Sequence, residues 1–215
     1  MAVERGSAEA MRRPSVFYRV TKRALDVLLA SAALVVLSPV FGLSALLVWL
    51  SDPRAPVVFR QRRCGLGGHG FEMLKFRTMV RNADELKEQL RDRSLVPWPD
   101  FRLEHDPRVT WIGRFLRKTS LDELPQLVNV VRGDMSLVGP RPTSFDVGTY
   151  QLWQTGRLDI RPGITGPWQV LGRNSMDFDE RCRLEISFFR RPSLRREIRL
   201  LVATASSVLR RTGVA

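Results

Sequence analysis

Ala24-Leu25-Asp26-Val27-Leu28-Leu29-Ala30-Ser31-Ala32-Ala33-Leu34-Val35-Val36-Leu37-Ser38-Pro39-Val40-Phe41-Gly42-Leu43-Ser44-Ala45-Leu46-Leu47-Val48-Trp49-Leu50 is the stretch whose reading decides the fold. Asp26 is its only ionisable residue. As one straight helix it would be about 40 Å long, more than a hydrocarbon core of ~30 Å requires. The core of a soluble domain seldom needs a helix apolar on every side for so long, so membrane insertion is the expectation. Ser38-Pro39 lies near the middle. Proline removes a backbone donor and clashes with the preceding turn, which predicts a break there. Each half is then roughly a dozen residues, too short to cross alone. Arg19, Lys22 and Arg23 precede the run, and Arg54, Arg60, Arg62 and Arg63 follow it. The positive-inside rule puts both ends on the cytoplasmic side. A re-entrant helix–break–helix satisfies that rule; a kinked span is the alternative.

Three segments follow from this. Residues 1–16 form a basic N-terminal lead-in expected to be disordered, 17–50 the re-entrant membrane segment, and 51–215 a cytosolic domain seated on the membrane surface. A signal peptide also sets basic residues before an apolar run. Here the run is longer than a usual h-region, and the small-residue triplet Ala30-Ser31-Ala32 lies inside it, so cleavage is not expected. The fold class expected is α+β, mostly helical, with one β-hairpin and interfacial amphipathic helices.

The chain of 215 residues is long enough for one real core. Its net charge of +13 predicts an anionic partner: nucleic acid, a phosphorylated substrate or a lipid surface. A nucleic-acid binder explains the charge but not the apolar run, and no zinc finger or basic zipper is present, so no nucleic acid is expected as partner. A non-catalytic membrane scaffold explains the apolar run but not the acidic and Arg-Pro-rich core described next. Cys64 and Cys182 are too few for a disulfide framework, and His69 and His105 have no metal-ligand spacing.

Beyond the membrane segment, Val57 to Arg62 and Phe71 to Met79 read as strands around the loop Gly65 to Gly70. That loop has no following helix and no G-K-[ST], so it is not a nucleotide fingerprint. Alternation puts Lys75 and Arg77 on one strand face, like a two-pronged anion clamp, with an ordinary solvated strand face as the alternative. Asn82 to Arg93 reads as a charged helix and Leu95 to Pro99 as a loop. In Val109 to Arg117 a helical face carries Ile112, Phe115 and Leu116, and a basic face carries Arg114, Arg117 and Lys118.

That helix leads into Thr119-Ser120-Leu121-Asp122-Glu123-Leu124-Pro125-Gln126-Leu127. Two adjacent carboxylates beside several cations can hold a divalent metal, an anionic substrate and a nucleophile in one small volume. The same letters also spell a capping box from Ser120 to Glu123, or an N-cap at Asp122 with Pro125 in the first turn. Leu127 to Val131 continues as a short helix that Gly133 ends. Leu137 to Pro142 is expected to be irregular, with two prolines holding Arg141 extended as a phosphate ligand. Arg161-Pro162-Gly163-Ile164-Thr165-Gly166 repeats that logic. Leu194 to Arg211 reads as a basic amphipathic helix, with Ile198, Leu201, Val202, Ala205 and Val208 on one side and Arg195, Arg196, Arg199 and Arg210 towards the other.

From about Tyr18 to Val214 the chain resembles the bacterial sugar transferases, the monotopic polyprenyl-phosphate phosphoglycosyl transferases, in their minimal catalytic form. The resemblance is carried by the Ser38-Pro39 break, Lys75-Phe76-Arg77-Thr78-Met79, Arg117 through Leu127, Asn129 through Pro142, Arg161 through Gly166, Gln169-Val170 and Gly172-Arg173-Asn174. It implies transfer of a sugar-1-phosphate from a UDP-sugar to undecaprenyl or another polyprenyl phosphate, with release of UMP. It also implies Asp122 as nucleophile and Glu123 as its partner, both holding Mg²⁺ and Glu123 assisting the second step. Lys75, Arg77, Arg117, Arg141, Arg161, Gln169, Arg173 and Glu185 fall on the positions implied to meet substrate. Arg77 stands where the family often has lysine, and Glu185 where some members have aspartate. The implied location is the cytoplasmic face of a bacterial inner membrane, with membrane lipids as partners and self-association into a homo-oligomer compatible. The sugar is not specified.

Overall fold

The computed structural model of the chain describes residues 14–94, 103, 105–144, 146–171 and 176–210. The lead-in before Pro14, the Leu95 to Pro99 loop and Gly172-Arg173-Asn174 therefore lie outside the described residues, as do the side chains of Val208 and Arg210.

The apolar stretch forms two helices, α1 (Val16–Val36) and α2 (Ser38–Ser51), bent by 64° at Leu37. No single helix among the described residues is long and apolar enough to cross a membrane. Pro39 opens α2, where its missing N–H leaves nothing unpaired, and the Ser38 hydroxyl donates to the Val35 carbonyl at 2.8 Å. Asp26 is turned into the protein: its carboxylate accepts the Leu137 N–H at 3.1 Å and lies 3.7 Å from Lys22 Nζ. Lys22 Nζ also donates to Glu197 at 2.6 Å, and the Tyr18 hydroxyl bonds the same carboxylate. The one charge in the apolar run thus serves the junction between α1 and the domain.

The antiparallel hairpin is β1 (Val58–Cys64) and β2 (Gly70–Phe76), in the register Phe59–Lys75 and Gln61–Met73. Strand β2 is the midline of the core. Met73 packs on one side with Ala30, Leu127, Val130 and Met135, and Phe76 on the other with Val48, Ile112 and Leu116. Both helices thus contribute to the core, while Leu28, Val35, Val36, Leu43 and Leu50 face outward.

Helix α3 (Ala83–Gln89) covers less than the predicted Asn82 to Arg93, and the rest tightens into a 3-10 turn. Then come α4 (Trp111–Lys118), α5 (Gln126–Arg132), β3 (Ser136–Val138), β4 (Gly163–Thr165), α6 (Pro167–Leu171), α7 (Phe178–Phe189) and α8 (Leu194–Arg210). As expected, Gly133 closes α5 in the left-handed region at φ 98°.

Leu137 and Val138 are regular, contrary to the expectation of an irregular stretch. They form part of a short parallel pair, β3 with β4, in which the backbones of Gly139 and Gly163 press together. A Cβ on Gly163 would fall 2.0 Å from the Gly139 nitrogen. The α8 faces also differ from the predicted division. Glu197, Leu200 and Thr204 point inward, while Ile198, Arg199 and Val202 share the exposed side. Basic and apolar groups therefore sit together, because a buried Glu197 is needed to receive Tyr18 and Lys22.

Candidate active site

The site begins at the end of α4. Thr110 caps that helix through the Gly113 N–H at 3.0 Å, and Gly113 lies hard against the Thr78 carbonyl, where a Cβ would come to 2.1 Å. The close approach brings Arg117 Nε to the Thr78 hydroxyl at 2.9 Å. After Lys118 the chain reverses through Ser120, the one described non-glycine residue with positive φ, at 56°. A left-handed serine costs roughly 1–2 kcal/mol. The turn it makes delivers Leu121–Glu123 as a 3-10 turn, not as the start of α5.

Neither capping reading holds. Ser120 makes no side-chain cap bond, and α5 starts after Pro125 without a side-chain cap. The acidic pair is thereby free for other work. Asp122 is only 8 % exposed, yet among the described residues its carboxylate accepts no hydrogen bond. Burial raises its carboxyl above the usual range; Lys75, Arg117 and Arg141 pull it down and Glu123 pushes it up further.

Glu123 is the opposite case. Its Oε1 accepts from Lys75 Nζ at 3.0 Å and from Arg141 Nη2 at 2.7 Å. Burial alone would raise this carboxyl, but the two cations outweigh it and hold it at about 2. The protein thus keeps Glu123 ionised without further help, whereas Asp122 has cations nearby and no bond to any of them.

Arg141 is itself held by its backbone. Its N–H donates to Glu185 Oε1 at 3.0 Å, and its carbonyl accepts from Arg157 Nη2 at 2.8 Å. Glu185 is fully buried and pairs with Arg157 at 2.7 Å. The flanking Pro140 and Pro142 remove competing donors, and the β3–β4 contact fixes where the loop leaves the fold.

The structure brings Lys75, Arg117, Asp122, Glu123 and Arg141 together. It does not bring Arg77. Strand β2 stops at Phe76, and the Arg77 guanidinium instead donates to the carbonyls of Val48 at 2.8 Å, Asp52 at 3.0 Å and Pro56 at 3.0 Å. Arg77 is a cap on the end of α2, whose last carbonyls have no intrahelical donors, and the two-pronged clamp dissolves. Arg77→Leu is therefore expected to lower the melting temperature by leaving those carbonyls unpaired, at about 1–3 kcal/mol each, without raising KM for a phosphorylated donor. Thermal melts beside donor kinetics check this.

Glu185 acts through Arg141 and Arg157 and does not lie open to a ligand. Arg161 enters through its backbone, with its carbonyl against Gly139, and Gln169 donates to the Ile164 carbonyl at 3.0 Å. Arg173 lies outside the described residues. Arg63 and Arg157 were not anticipated: an arginine in a strand and one in a 3-10 segment carry no local signal of partners 79 and 16 residues away.

Among the described residues no group of three metal-ligating side chains forms. Mg²⁺ needs fewer, taking one or two carboxylates and filling its shell with water and substrate phosphate. Asp122 and the second oxygen of Glu123 offer such a donor set.

Comparison with known proteins agrees with this geometry. The family model described as bacterial sugar transferase matches residues 17–211. The chain is 42% identical over 202 residues to the undecaprenyl-phosphate galactose phosphotransferase of Salmonella typhimurium, covering 91% of this chain and 42% of that one. It is 44% identical over 160 residues to the galactosyl transferase CpsE of Streptococcus agalactiae, covering 74% and 36%. With the exopolysaccharide production protein ExoY of Rhizobium meliloti it shares 42% identity over 192 residues, covering 87% and 84%. The chain thus spans less than half the length of the first two relatives and most of the third. The matched range runs from the bent helix pair through the acidic turn to α8, and on that ground the chain belongs to the bacterial sugar transferase family.

Proposed function

We propose that this chain transfers a sugar-1-phosphate from a UDP-sugar to undecaprenyl or a similar polyprenyl phosphate, through a phosphosugar carried on Asp122. The observation that carries the reading is the contrast inside one dipeptide. Glu123 is held through one oxygen by Lys75 and Arg141, while Asp122, one residue away in the same cationic field, has no hydrogen-bond partner among the described residues.

In the first step an Asp122 oxygen attacks the phosphorus that bears the sugar. A new O–P bond forms, the bond from that phosphorus to the bridging oxygen breaks, and UMP leaves with the electron pair. In the second step a phosphate oxygen of the polyprenyl phosphate attacks the same phosphorus, and the Asp122 carboxylate leaves. The product is a polyprenyl diphosphate sugar. Lys75, Arg117 and Arg141 balance the charge of the phosphoryl group in both steps. Mg²⁺, held by Asp122 and Glu123 with substrate phosphate, would supply further positive charge there. Glu123, with its carboxyl at about 2, is a poor general base at neutral pH, so we assign it to holding Lys75 and Arg141 in place.

A lipid acceptor requires the site to sit at the membrane surface. We infer that α1 and α2 enter the cytoplasmic leaflet of a bacterial inner membrane and return. Trp111 and Phe115, 62% and 51% exposed on the helix that ends at the acidic turn, would lie at headgroup level, with Ile198 and Val202 of α8. Cysteines at positions 15 and 55 should label from the same side of the membrane; opposite sides would mean a span.

The chemistry is tested by incubating the enzyme with donor and Mg²⁺ alone, quenching, and analysing peptides by mass spectrometry. A phosphosugar adduct on Asp122, with one UMP released per enzyme, is expected. Product formation on adding the acceptor, with no adduct on Asp122 beforehand, would overturn the covalent route.

A further inference from the structure

Arg141 also borders a cavity of about 160 Å³. Arg63, Arg141, Arg157 and Arg181 line it together with Trp168 and Phe178, and no acidic side chain among the described residues contributes to its wall. Glu123 and Glu185 pair with Arg141 and Arg157 from outside the wall, and the charge of the four guanidiniums beyond those two carboxylates calls for an anion. Arg63 registers that charge: burial and the neighbouring Arg141 bring its guanidinium down to about 10. Arg157 is 5% exposed, and its Nε makes no hydrogen bond among the described residues. The rings add a second element of recognition. The Arg181 guanidinium stands 5.4 Å from the Trp168 ring and 6.0 Å from that of Phe178, and Arg157 lies 5.5 Å from Phe178. Such stacked cation and ring surfaces accept a flat heterocycle.

Position separates this cavity from the acceptor's approach. Its lining residues come from β1, the loop after β3, the 3-10 segment Leu152–Asp159, α6 and α7. None comes from α1, α2, α4 or α8, the helices that the transfer reading seats at the membrane. Arg141 spans the two regions, since its guanidinium reaches Glu123 while the residue also borders the cavity.

We propose that this cavity is the nucleoside-phosphate subsite, with the phosphate of the leaving nucleotide on Arg63, Arg141 and Arg157 and its base against Trp168 and Arg181. The proposal rests on the transfer reading above for the identity of the nucleotide. Arg141 would then touch the donor at the bond that breaks, and the polyprenyl phosphate would enter from the opposite, membrane-facing side.

The test uses the full chain in lipid nanodiscs, with UMP and a short-chain polyprenyl phosphate as probes. UMP is expected to protect Arg63 and Arg181 of the wild-type protein from phenylglyoxal, and the polyprenyl phosphate is not. Arg63→Gln and Trp168→Leu should each weaken UMP binding by about tenfold and raise KM for the donor by a similar factor, leaving KM for the acceptor in place. Protection by the polyprenyl phosphate instead of UMP, or UMP affinity unchanged in both variants, overturns the assignment. The Asp122 adduct on wild-type enzyme keeps the two readings apart. Adduct formation with unchanged UMP affinity in the variants removes the cavity and leaves the chemistry. UMP protection without any adduct removes the covalent chemistry and leaves the cavity.

Discussion

Asp122→Asn is expected to lower UMP release by a factor on the order of 10⁴ or more, while leaving the protein at least as stable as the parent. The rate falls because an amide oxygen is a weak nucleophile and a poor leaving group in the second step. Stability moves the other way because Asp122 is buried and accepts no hydrogen bond among the described residues. Burial raises its carboxyl above the ordinary range, so the folded state holds the proton more tightly than the unfolded one. Its contribution to stability is therefore present at low pH and lost as pH rises through the raised value. Asparagine has no such loss. The melting-temperature gap between variant and parent should favour the variant near pH 8 and shrink towards pH 4. The same shift sets the acid limb of kcat/KM, which should fall at a pH above that of an ordinary aspartate, unless bound Mg²⁺ restores ionisation and moves the limb down. A variant with near-parental turnover would mean that the nucleophile lies elsewhere, and one that loses stability most at high pH would mean that the folded protein favours Asp122 ionised.

The contrast between Asp122 and Glu123 shows what a sequence holds and what it withholds. Acidic neighbours after a basic helix were readable, as were the break at Ser38-Pro39, the hairpin, the glycine stop at 133 and the extended arginine between two prolines. Each rests on local chemistry: a missing donor, an alternation, a left-handed residue. What was not readable depends on long-range pairing. Lys75 and Arg77 look equivalent on an ideal strand, but the strand ends at Phe76, and Arg77 goes to the carbonyls closing α2. Ser120 spells a cap, but the chain turns left-handed there and the hydroxyl caps nothing. The charge state of the acidic pair also depends on distant partners: Arg141, 18 residues on, and Lys75, 48 residues back, keep Glu123 ionised. Leu137 and Val138 looked irregular because of the prolines after them, yet Gly163 gives their backbone a parallel partner that no local rule proposes.

Glu185→Ala should be among the most destabilising single changes in the chain, at about 3–5 kcal/mol, because it leaves Arg157 buried without its counter-ion. Glu185 is fully buried, lies 2.7 Å from Arg157 and accepts the Arg141 N–H at 3.0 Å, so the loss also loosens the peptide that aims Arg141 at Glu123. Glu185→Gln separates the two effects. Its amide oxygen can still accept from Arg141, so a smaller fall in turnover is expected, while the charge on Arg157 stays uncompensated. Adding Arg157→Met to Glu185→Ala removes the stranded cation, and the double variant should melt above Glu185→Ala alone, a non-additivity that contacting residues show and distant ones do not. The resemblance alone implies a substrate contact at position 185. That role predicts the reverse: a higher donor KM in Glu185→Gln, no stability loss, and no coupling to Arg157. Thermal melts of the four proteins beside their donor KM values decide between the two. The buried geometry favours coupling, since a carboxylate wholly closed to solvent can reach a nucleotide only through the arginines it holds.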